Sequence, residues 1–275
     1  MIKKLFPIAL LLLVLAACNN GGDDGGGEET VLTPGVLPPQ NLAFNVVNTF
    51  PHDTSDFTEG LQVVDGKMYE GTGETGQSVL KAYDIKTGKV SFEHKIADSL
   101  FGEGIQVFKG KLYQLTYQNH MVLVYDLKDL TKPIQTFTWP TEGWGMTNDG
   151  TNLIVSDGSP YIYFVNPADF SIIKKMQVLS NTGPLGNINE LEYIDGFIYA
   201  NVFMTDTTVK INPANGNVVG MIDCRGILQQ YAAKEIAAGF DPSNNVLNGI
   251  AWDSAAKKMY ITGKNWPRLF EIVLQ

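Results

Sequence analysis

Short segments in which hydrophobic and polar residues alternate recur along the chain, as at 161–165 and 257–262. Alternation places successive side chains on opposite faces and is typical of half-buried strands. A recurring phrase introduces these segments: a turn, then a hydrophobic pair that usually ends in tyrosine. The second residues of the pairs lie 44, 41, 45 and 61 positions apart and are Tyr69, Tyr113, Ile154, Tyr199 and Tyr260. Steps of about 40–45 residues that hold several short strands are typical of β-propeller blades.

The five repeats predict an all-β fold, a five-bladed β-propeller. The last repeat reaches the C-terminus one strand short, and residues 42–50 (LAFNVVNTF) form a strand-like segment ahead of the first repeat. We predict that this segment completes the last blade and closes the ring, since closure removes exposed sheet edges. The longest step contains residues 227–238 (ILQQYAAKEIAA), whose apolar spacing and alanine content predict one short inserted helix.

The N-terminal segment has the pattern of a bacterial lipoprotein signal. Lys3 and Lys4 precede an apolar run at 8–15 that is too short to span a bilayer, and small residues then lead to Cys18. We predict that residues 1–17 are removed and that a lipid on Cys18 anchors the exported protein to the periplasmic side of the outer or inner membrane. Residues 18–38 read as a flexible tether and residues 39–275 as the propeller domain. An ordinary secretory signal beside a stray cysteine is the alternative.

Charge and composition exclude several classes of function. The formal net charge is −9, and it becomes more negative when Lys3 and Lys4 leave with the signal. Nucleic-acid binding depends on Lys and Arg that neutralise phosphates, so we expect no nucleic-acid partner. With Cys18 lipidated, Cys224 is the remaining cysteine and is predicted to be a buried, inert thiol. The three histidines show no zinc-ligand spacing. We expect a monomer.

Acids or amides stand before glycine and an aliphatic residue near the starts of several blades. Examples are EGL at 59–61, EGI at 103–105 and NGI at 248–250. Glycine lets innermost strands crowd the propeller axis, so the polar side chain before it would point into the channel mouth. These groups have a structural interpretation, because polar groups in a narrow channel must bond to one another or to trapped water. The large aromatic residues among them, such as Trp144, favour a pocket that holds a ligand.

Seven phrases, in this order, resemble the plant-type glutaminyl-peptide cyclotransferases (glutaminyl cyclases) of plants and bacteria. The phrases are FTEGL at 57–61, YEGTGETGQS at 69–78, FGEG at 101–104, GWGM at 143–146, NELEYIDG at 189–196, NVLNGIAWD at 245–253 and TGKNWPRLFEI at 262–272. The resemblance implies a five-bladed propeller. It also implies an acyltransferase that converts the N-terminal glutamine of peptides and proteins to pyroglutamate, releases ammonia and needs no catalytic metal.

The resemblance further implies roles for individual residues. The family's catalytic acid is the glutamate of the FGEG phrase, here Glu103. The positions that correspond to the family's substrate site are Phe57, Glu59, Trp144, Asn189 and Lys264. Two tryptophans of the family are replaced here by Tyr117 and Phe203. Both substitutes keep an aromatic wall, so we expect activity to survive, while the substrate preference stays open.

The reaction itself needs few groups. The α-amine attacks the γ-carboxamide carbon, and one carboxyl group, Glu103, can take the proton from the amine and give one to the departing nitrogen. Asn189 and Lys264 can polarise the carboxamide oxygen. We expect no cofactor for this chemistry, although carboxylates and carbonyls suit calcium and leave a structural calcium ion in the channel open.

Two other functions remain open at the level of the sequence. One is a non-catalytic propeller lipoprotein that binds peptides or glycans, for which Glu103 would be dispensable. The other is a metal-dependent lactonase-type propeller, which needs three or four inward acids or amides around one ion. Release of ammonia from peptides with N-terminal glutamine would distinguish both from a cyclotransferase.

Overall fold

The described part of the chain comprises residues 32–243 and 245–275 of a computed structural model. The predicted signal segment 1–17, the lipidation site Cys18 and most of the predicted tether lie outside the described residues. The end of the tether approaches the fold, since the backbone N–H of Thr33 donates to the carbonyl oxygen of Asn181 at 2.7 Å. Within the described residues, no helix is long and apolar enough to cross a membrane.

Four-stranded antiparallel sheets follow one another along the chain as blades. Ahead of them lie β1 (Gln40–Asn41) and β2 (Phe44–Pro51). The first blade holds β3 (Thr58–Val64), β4 (Lys67–Thr72), β5 (Val79–Asp84) and β6 (Val90–Lys95). The second holds β7 (Gly102–Phe108), β8 (Lys111–Thr116), β9 (Met121–Asp126) and β10 (Gln135–Thr138). The third holds β11 (Met146–Asn148), β12 (Leu153–Ser156), β13 (Tyr161–Val165) and β14 (Ile172–Gln177).

The second half of the chain completes the ring. After a small hairpin of β15 (Leu179–Ser180) and β16 (Gly183–Pro184), the fourth blade holds β17 (Ile188–Ile194), β18 (Phe197–Val202), β19 (Thr207–Ile211) and β20 (Val218–Asp223). Then come α1 (Ile227–Tyr231) and α2 (Ala233–Ala237), followed by β21 (Leu247–Asp253), β22 (Lys258–Gly263) and β23 (Arg268–Leu274). The predicted five-bladed propeller is confirmed. The strand β1 also pairs in parallel with β20 at the outer edge of the fourth blade.

The fifth blade joins the two ends of the propeller. Its outermost strand is β2, which pairs antiparallel with β23 from Phe44 opposite Leu274 to Pro51 opposite Arg268. The strand that the sequence predicts at 42–50 therefore closes the ring. Blades pack on one another through apolar side chains, with a hydrophobic cluster at each junction. Representative buried pairs from successive junctions are Leu80 and Leu112, Val124 and Leu153, Ile162 and Ile198, Ile222 and Ile261, and Leu61 and Tyr260.

The inserted segment differs from the single helix predicted at 227–238. It forms the two short helices α1 and α2, separated at Ala232, where φ is −125° and ψ is 28°. Ile227, Leu228 and Ala232 are all buried in the cluster between the fourth and fifth blades, whereas α2 has no buried residue. Packing of α1 on the blades thus fixes the chain up to Ala232, and the helical geometry breaks there. Cys224, in the same cluster, is buried as predicted, and burial raises the pKa of its thiol to about 12.

The innermost strands are irregular at the places where the sequence puts its acids and amides. The register shifts between Thr58 and Gly60 in β3 and between Gly102 and Ile105 in β7. The innermost strands β17 and β21 carry the same irregularity, at 188–191 and 247–250. A bulge of this kind re-aims one side chain out of the regular alternation. The bulges explain why, of two adjacent residues in these strands, one can point into the channel and the other into the cavity at its mouth.

Glycine permits the close approach of blades at the axis. A Cβ atom on Gly145 would clash with the backbone oxygen of Asn189 in the fourth blade, so a larger residue there would push the blades apart. Below the mouth, Glu190 bridges blades, because its carboxylate accepts from the N–H of Ile250 at 2.8 Å and of Leu61 at 3.4 Å. The structural interpretation of the channel acids is therefore correct for Glu190.

Candidate active site

All eight residues that the sequence analysis assigns to a substrate site line a single cavity. The cavity has a volume of about 160 Å³ and lies at one end of the channel. Its lining consists of Phe57, Glu59, Phe101, Glu103, Tyr117, Trp144, Asn189, Phe203 and Lys264. The ninth residue, Phe101, was not predicted, although the FGEG phrase begins with it. The cavity combines two acids, one amide and one cation with five aromatic side chains.

Strand topology explains why residues so far apart in sequence meet. Phe57, Glu59 and Glu103 stand at the beginnings of the innermost strands β3 and β7. Tyr117, Phe203 and Lys264 follow the ends of the second strands β8, β18 and β22. In an antiparallel pair, the start of one strand and the end of its neighbour lie at the same edge. Repetition of that pair around the ring brings the side chains of several blades to one mouth.

Aromatic rings form two walls of the cavity. On one side Phe101 lies between Phe57 and Tyr117, with ring centroids 6.2 Å and 5.6 Å away. On the other side Trp144 meets Phe203 edge to face at 5.5 Å. Such walls suit the methylene groups of a glutamine side chain and exclude water from it. The residues that replace family tryptophans, Tyr117 and Phe203, contribute one ring to each wall.

A buried ion pair lies at the base of the cavity. The ammonium group of Lys264 contacts the carboxylate of Glu59 and lies 4.1 Å from the ring centroid of Phe57. The side-chain amide of Asn248 donates to the other oxygen of Glu59 at 3.1 Å and to the backbone oxygen of Thr58 at 2.8 Å. These partners fix the Glu59 carboxylate in one orientation.

Glu103 is the proton-bearing partner of this group. Burial raises the pKa of Glu103 well above its usual range, and the adjacent charge of Glu59 and a hydrogen bond to it raise that pKa further. Burial also raises the pKa of Glu59, but the charge of Lys264 and its hydrogen bond act in the opposite direction. Two carboxyl groups and one ammonium group in a buried site are best balanced when one carboxyl keeps its proton. That proton belongs on Glu103, which is 5% exposed.

The amide of Asn189 completes the polar lining. Asn189 is 3% exposed, and its side-chain oxygen has no hydrogen-bond partner. Its backbone oxygen, in contrast, accepts from the Ser156 hydroxyl at 2.7 Å, which fixes the strand that carries it. A buried amide oxygen without a partner costs stability. It is the kind of group that a bound ligand with N–H donors would satisfy.

A second buried cluster lies behind the ion pair. His52, Asp56 and Glu70 place one ligand atom each within 4.8 Å of one another, a grouping that the histidine spacing in the sequence does not reveal. Lys81 forms an ion pair with Asp56, and His52 Nε2 lies 3.1 Å from Glu70. Burial raises the pKa of Glu70, but the charges of His52 and Lys81 hold it at about 2. His52 and Lys81 thus stabilise the ionised form of Glu70, whereas burial raises the pKa of Asp56 to about 7.

This second cluster supports the strand that carries Glu59. The Thr58 hydroxyl donates to Glu70 at 2.7 Å, and His52 Nδ1 lies 2.6 Å from the backbone oxygen of Trp266. The contacts therefore join the first blade to the end of the closing strand β2 and to the fifth blade. Sequence analysis also missed Asn248, although it belongs to the NVLNGIAWD phrase. Its partner Glu59 lies 189 positions away in the sequence, so only the closed ring reveals the contact.

The chain is similar to known proteins over nearly its whole length. A sequence model of the glutamine cyclotransferase family matches residues 24–274. A glutaminyl-peptide cyclotransferase of Arabidopsis thaliana is 36% identical over 231 residues, which cover 84% of this chain and 71% of that protein. The crystal structure of Myxococcus xanthus glutaminyl cyclase aligns with a TM-score of 0.77 and 31% identity, and the match covers 86% of this chain and 98% of that one. These matches confirm the resemblance inferred from the seven phrases, and the chain belongs to the glutamine cyclotransferase family.

Proposed function

We propose that this protein cyclises the N-terminal glutamine of peptides and proteins to pyroglutamate, with Glu103 as its general acid and base. The observation that carries this proposal is the buried Glu103 beside the Glu59–Lys264 ion pair, in a cavity walled by aromatic rings. The substrate class follows from the Arabidopsis and Myxococcus relatives, whose names state this activity.

The protonation state of Glu103 sets the order of the proton transfers. The neutral α-amine attacks the carboxamide carbon, and a new C–N bond forms while the C=O electrons move to oxygen. Glu103 then gives its proton to the carboxamide nitrogen, the old C–N bond breaks, and ammonia leaves. The Glu103 carboxylate takes the surplus proton from the former amine, which restores the acid. One side chain therefore serves both transfers, acid first and base second.

Other residues of the cavity stabilise and position the reacting groups. Negative charge develops on the carboxamide oxygen, where the side chains of Lys264 and Asn189 supply a cation and N–H donors. The aromatic walls bind the methylene groups of the glutamine side chain and keep water from it. Because the reaction is intramolecular, the substrate itself brings the amine and the carboxamide carbon close together. These groups transfer only protons, so we propose acyl transfer without a metal.

The proposal is tested by incubating the purified protein with peptides that begin with glutamine. We expect ammonia in solution and a product lighter than the peptide by one ammonia. Matched peptides that begin with asparagine or with an acetylated glutamine should not react, because the first has the wrong ring size and the second has no free amine. A folded protein that binds the glutamine peptide without releasing ammonia would favour the non-catalytic binding propeller.

We also propose that the enzyme is a lipoprotein that works at a membrane surface of the cell envelope. The support is the order of charged, apolar and small residues up to Cys18. The apolar run is also too short to span a bilayer, as in a signal segment that is removed. A tether of 18–38 would give the propeller freedom to meet peptide ends while the lipid holds it at the membrane. The propeller closes its own sheet edges through β2, which supports action as a monomer.

A further inference from the structure

The loop before the third blade contains an acid that touches the cavity wall from outside. Glu142 is not among the residues that line the cavity, but its carboxylate accepts from the indole N–H of Trp144 at 3.1 Å. The other carboxylate oxygen accepts from the side chain of Gln118 at 2.9 Å. Gln118 directly follows Tyr117, so one carboxylate connects the loops that carry both walls.

Glu142 is itself anchored in the core. Its backbone oxygen accepts from the indole N–H of Trp139 at 3.1 Å, and Trp139 is completely buried. The polar connection therefore runs from a rigid core residue through Glu142 to the Trp144 ring. Among the described residues, no lysine, arginine or histidine forms an ion pair with Glu142. Its partners are neutral donors, which suits a hydrogen-bonding role.

The other contacts of the Trp144 ring are apolar, so its indole N–H is the group that needs a hydrogen-bond acceptor. Phe203 packs against the ring edge to face. Gly158, at φ +76°, lies so close that a Cβ atom there would come within 2.6 Å of the indole ring. Both contacts are apolar and do not fix the rotation of the ring in its plane, whereas a hydrogen bond has a preferred direction. The hydrogen bond to Glu142 therefore fixes the orientation of the Trp144 ring.

We propose that Glu142 is a positioning residue for the cyclisation, because its carboxylate fixes Trp144 and thereby the spacing between the two aromatic walls. This inference rests on the proposed function of the cavity. Glu142 acts through Trp144 and does not line the cavity. After burial and Glu59, its charge is also the last of the causes that raise the pKa of Glu103, which is a second reason to compare a charged with a neutral variant. Walls that grip the substrate stabilise the ground state and the transition state alike. Their loosening should therefore raise KM and leave kcat nearly unchanged.

Two conservative variants separate the hydrogen bond from the charge. Glu142→Gln keeps an acceptor oxygen at the same reach but removes the charge, and its KM should stay within about threefold of wild type. Glu142→Asp keeps the charge but is one methylene too short, and its KM should rise about tenfold, as for loss of a hydrogen bond to a charged group. In a Trp144→Phe background, which has no indole N–H, Glu142→Asp should add less than about a twofold change.

The controls distinguish a local effect from a general one. Glu93→Ala removes an exposed acid of the outer strand β6 and should leave KM and kcat unchanged. Acrylamide quenching of tryptophan fluorescence gives a readout independent of turnover: Glu142→Asp should increase it, and the increase should vanish in the Trp144→Phe background. If the wild type releases no ammonia, the proposed function fails, while quenching still tests the contact between Glu142 and Trp144.

The result that overturns the inference is a folded Glu142→Asp enzyme with wild-type KM and wild-type quenching. It is equally overturned if Glu142→Gln is as impaired as Glu142→Asp, since a neutral acceptor at the same reach would then fail to hold Trp144. Thermal melting of each variant shows whether it is folded. Should Glu142→Asp fail to fold, the Glu142→Gln enzyme still tests the inference, because an impaired KM or increased quenching in that variant would overturn it.

Discussion

Replacement of Glu103 by glutamine isolates the loss of one transferable proton. The protonated Glu103 side chain is a hydrogen-bond partner of the Glu59 carboxylate, and an amide N–H can donate to that carboxylate in its place. The volume stays nearly constant, so the Glu59–Lys264 pair and the aromatic walls should persist. General acid–base catalysis contributes about 10²–10⁴ in rate, which corresponds to about 3–5 kcal/mol of barrier. We expect kcat to fall by at least about a hundredfold, with little change in peptide binding.

The assay is steady-state release of ammonia from a glutamine peptide, with folding checked by thermal melting. The matched variant is Glu59→Gln, which should cost less because it leaves the carboxyl group of Glu103, which transfers the protons, in place. Loss of the Glu59 charge also removes one cause of the raised pKa of Glu103. Since the reactive form of Glu103 is protonated, kcat/KM falls as the pH rises through that pKa, and Glu59→Gln should move this limb to lower pH. A folded Glu103→Gln enzyme with nearly wild-type kcat would refute the mechanism.

Three further predictions concern the metal, the anchor and the channel. Activity should survive exhaustive chelation, because the cavity acids are already balanced by Lys264 and a proton; loss of ammonia release that zinc restores would contradict this. The Cys18→Ser variant should no longer be found in the membrane fraction and should keep its cyclase activity. A folded but inactive variant would indicate that the tether is part of the active site. Burial raises the pKa of Glu192 to about 8, so the folded state holds its proton above the pH at which the unfolded chain loses it. The free energy of unfolding, and with it the melting temperature, should therefore fall from pH 5 to pH 8. The loss is about 1.4 kcal/mol per pH unit for one proton, and Glu192→Gln should make stability depend less steeply on pH.

The sequence predicted most of the fold because blades repeat a local pattern. Turns, alternating strands and the missing last strand were all visible in the order of residues, and β2 closes the ring as expected. The break between α1 and α2 was not visible, since Ile227 to Ala237 keeps a helical apolar spacing. Burial of Ala232 against the fifth blade is a tertiary contact, and it overrides the local preference. The hairpin of β15 and β16 was missed because two-residue strands are too short to show alternation.

Six of the eight predicted site residues lie in the seven phrases, and Tyr117 and Phe203 were assigned as replacements for family tryptophans outside them. The eight predicted residues meet in one cavity, and their assigned roles remain predictions for the variants above to test. Phe101 and Asn248 lie inside the matching phrases and could have been found there. The cluster of His52, Glu70 and Lys81 could not, because its members come from three strands or loops with no recurring spacing. The role of Glu142 could not be predicted either, because it depends on the orientation of the Trp144 ring in the folded protein.

The pairing of β2 with β23 has a consequence for how the molecule is made. The first long strand of the propeller finds its partner only in β23, the last strand of the fifth blade, so the ring cannot shut before β23 has been made. Contacts of such high sequence separation form slowly. Until then β2 presents an unpaired edge, which is a template for association with other chains. Pairing of β23 with β2, rather than growth of any single blade, therefore closes the ring, and removal of β23 should leave the edge of β2 exposed.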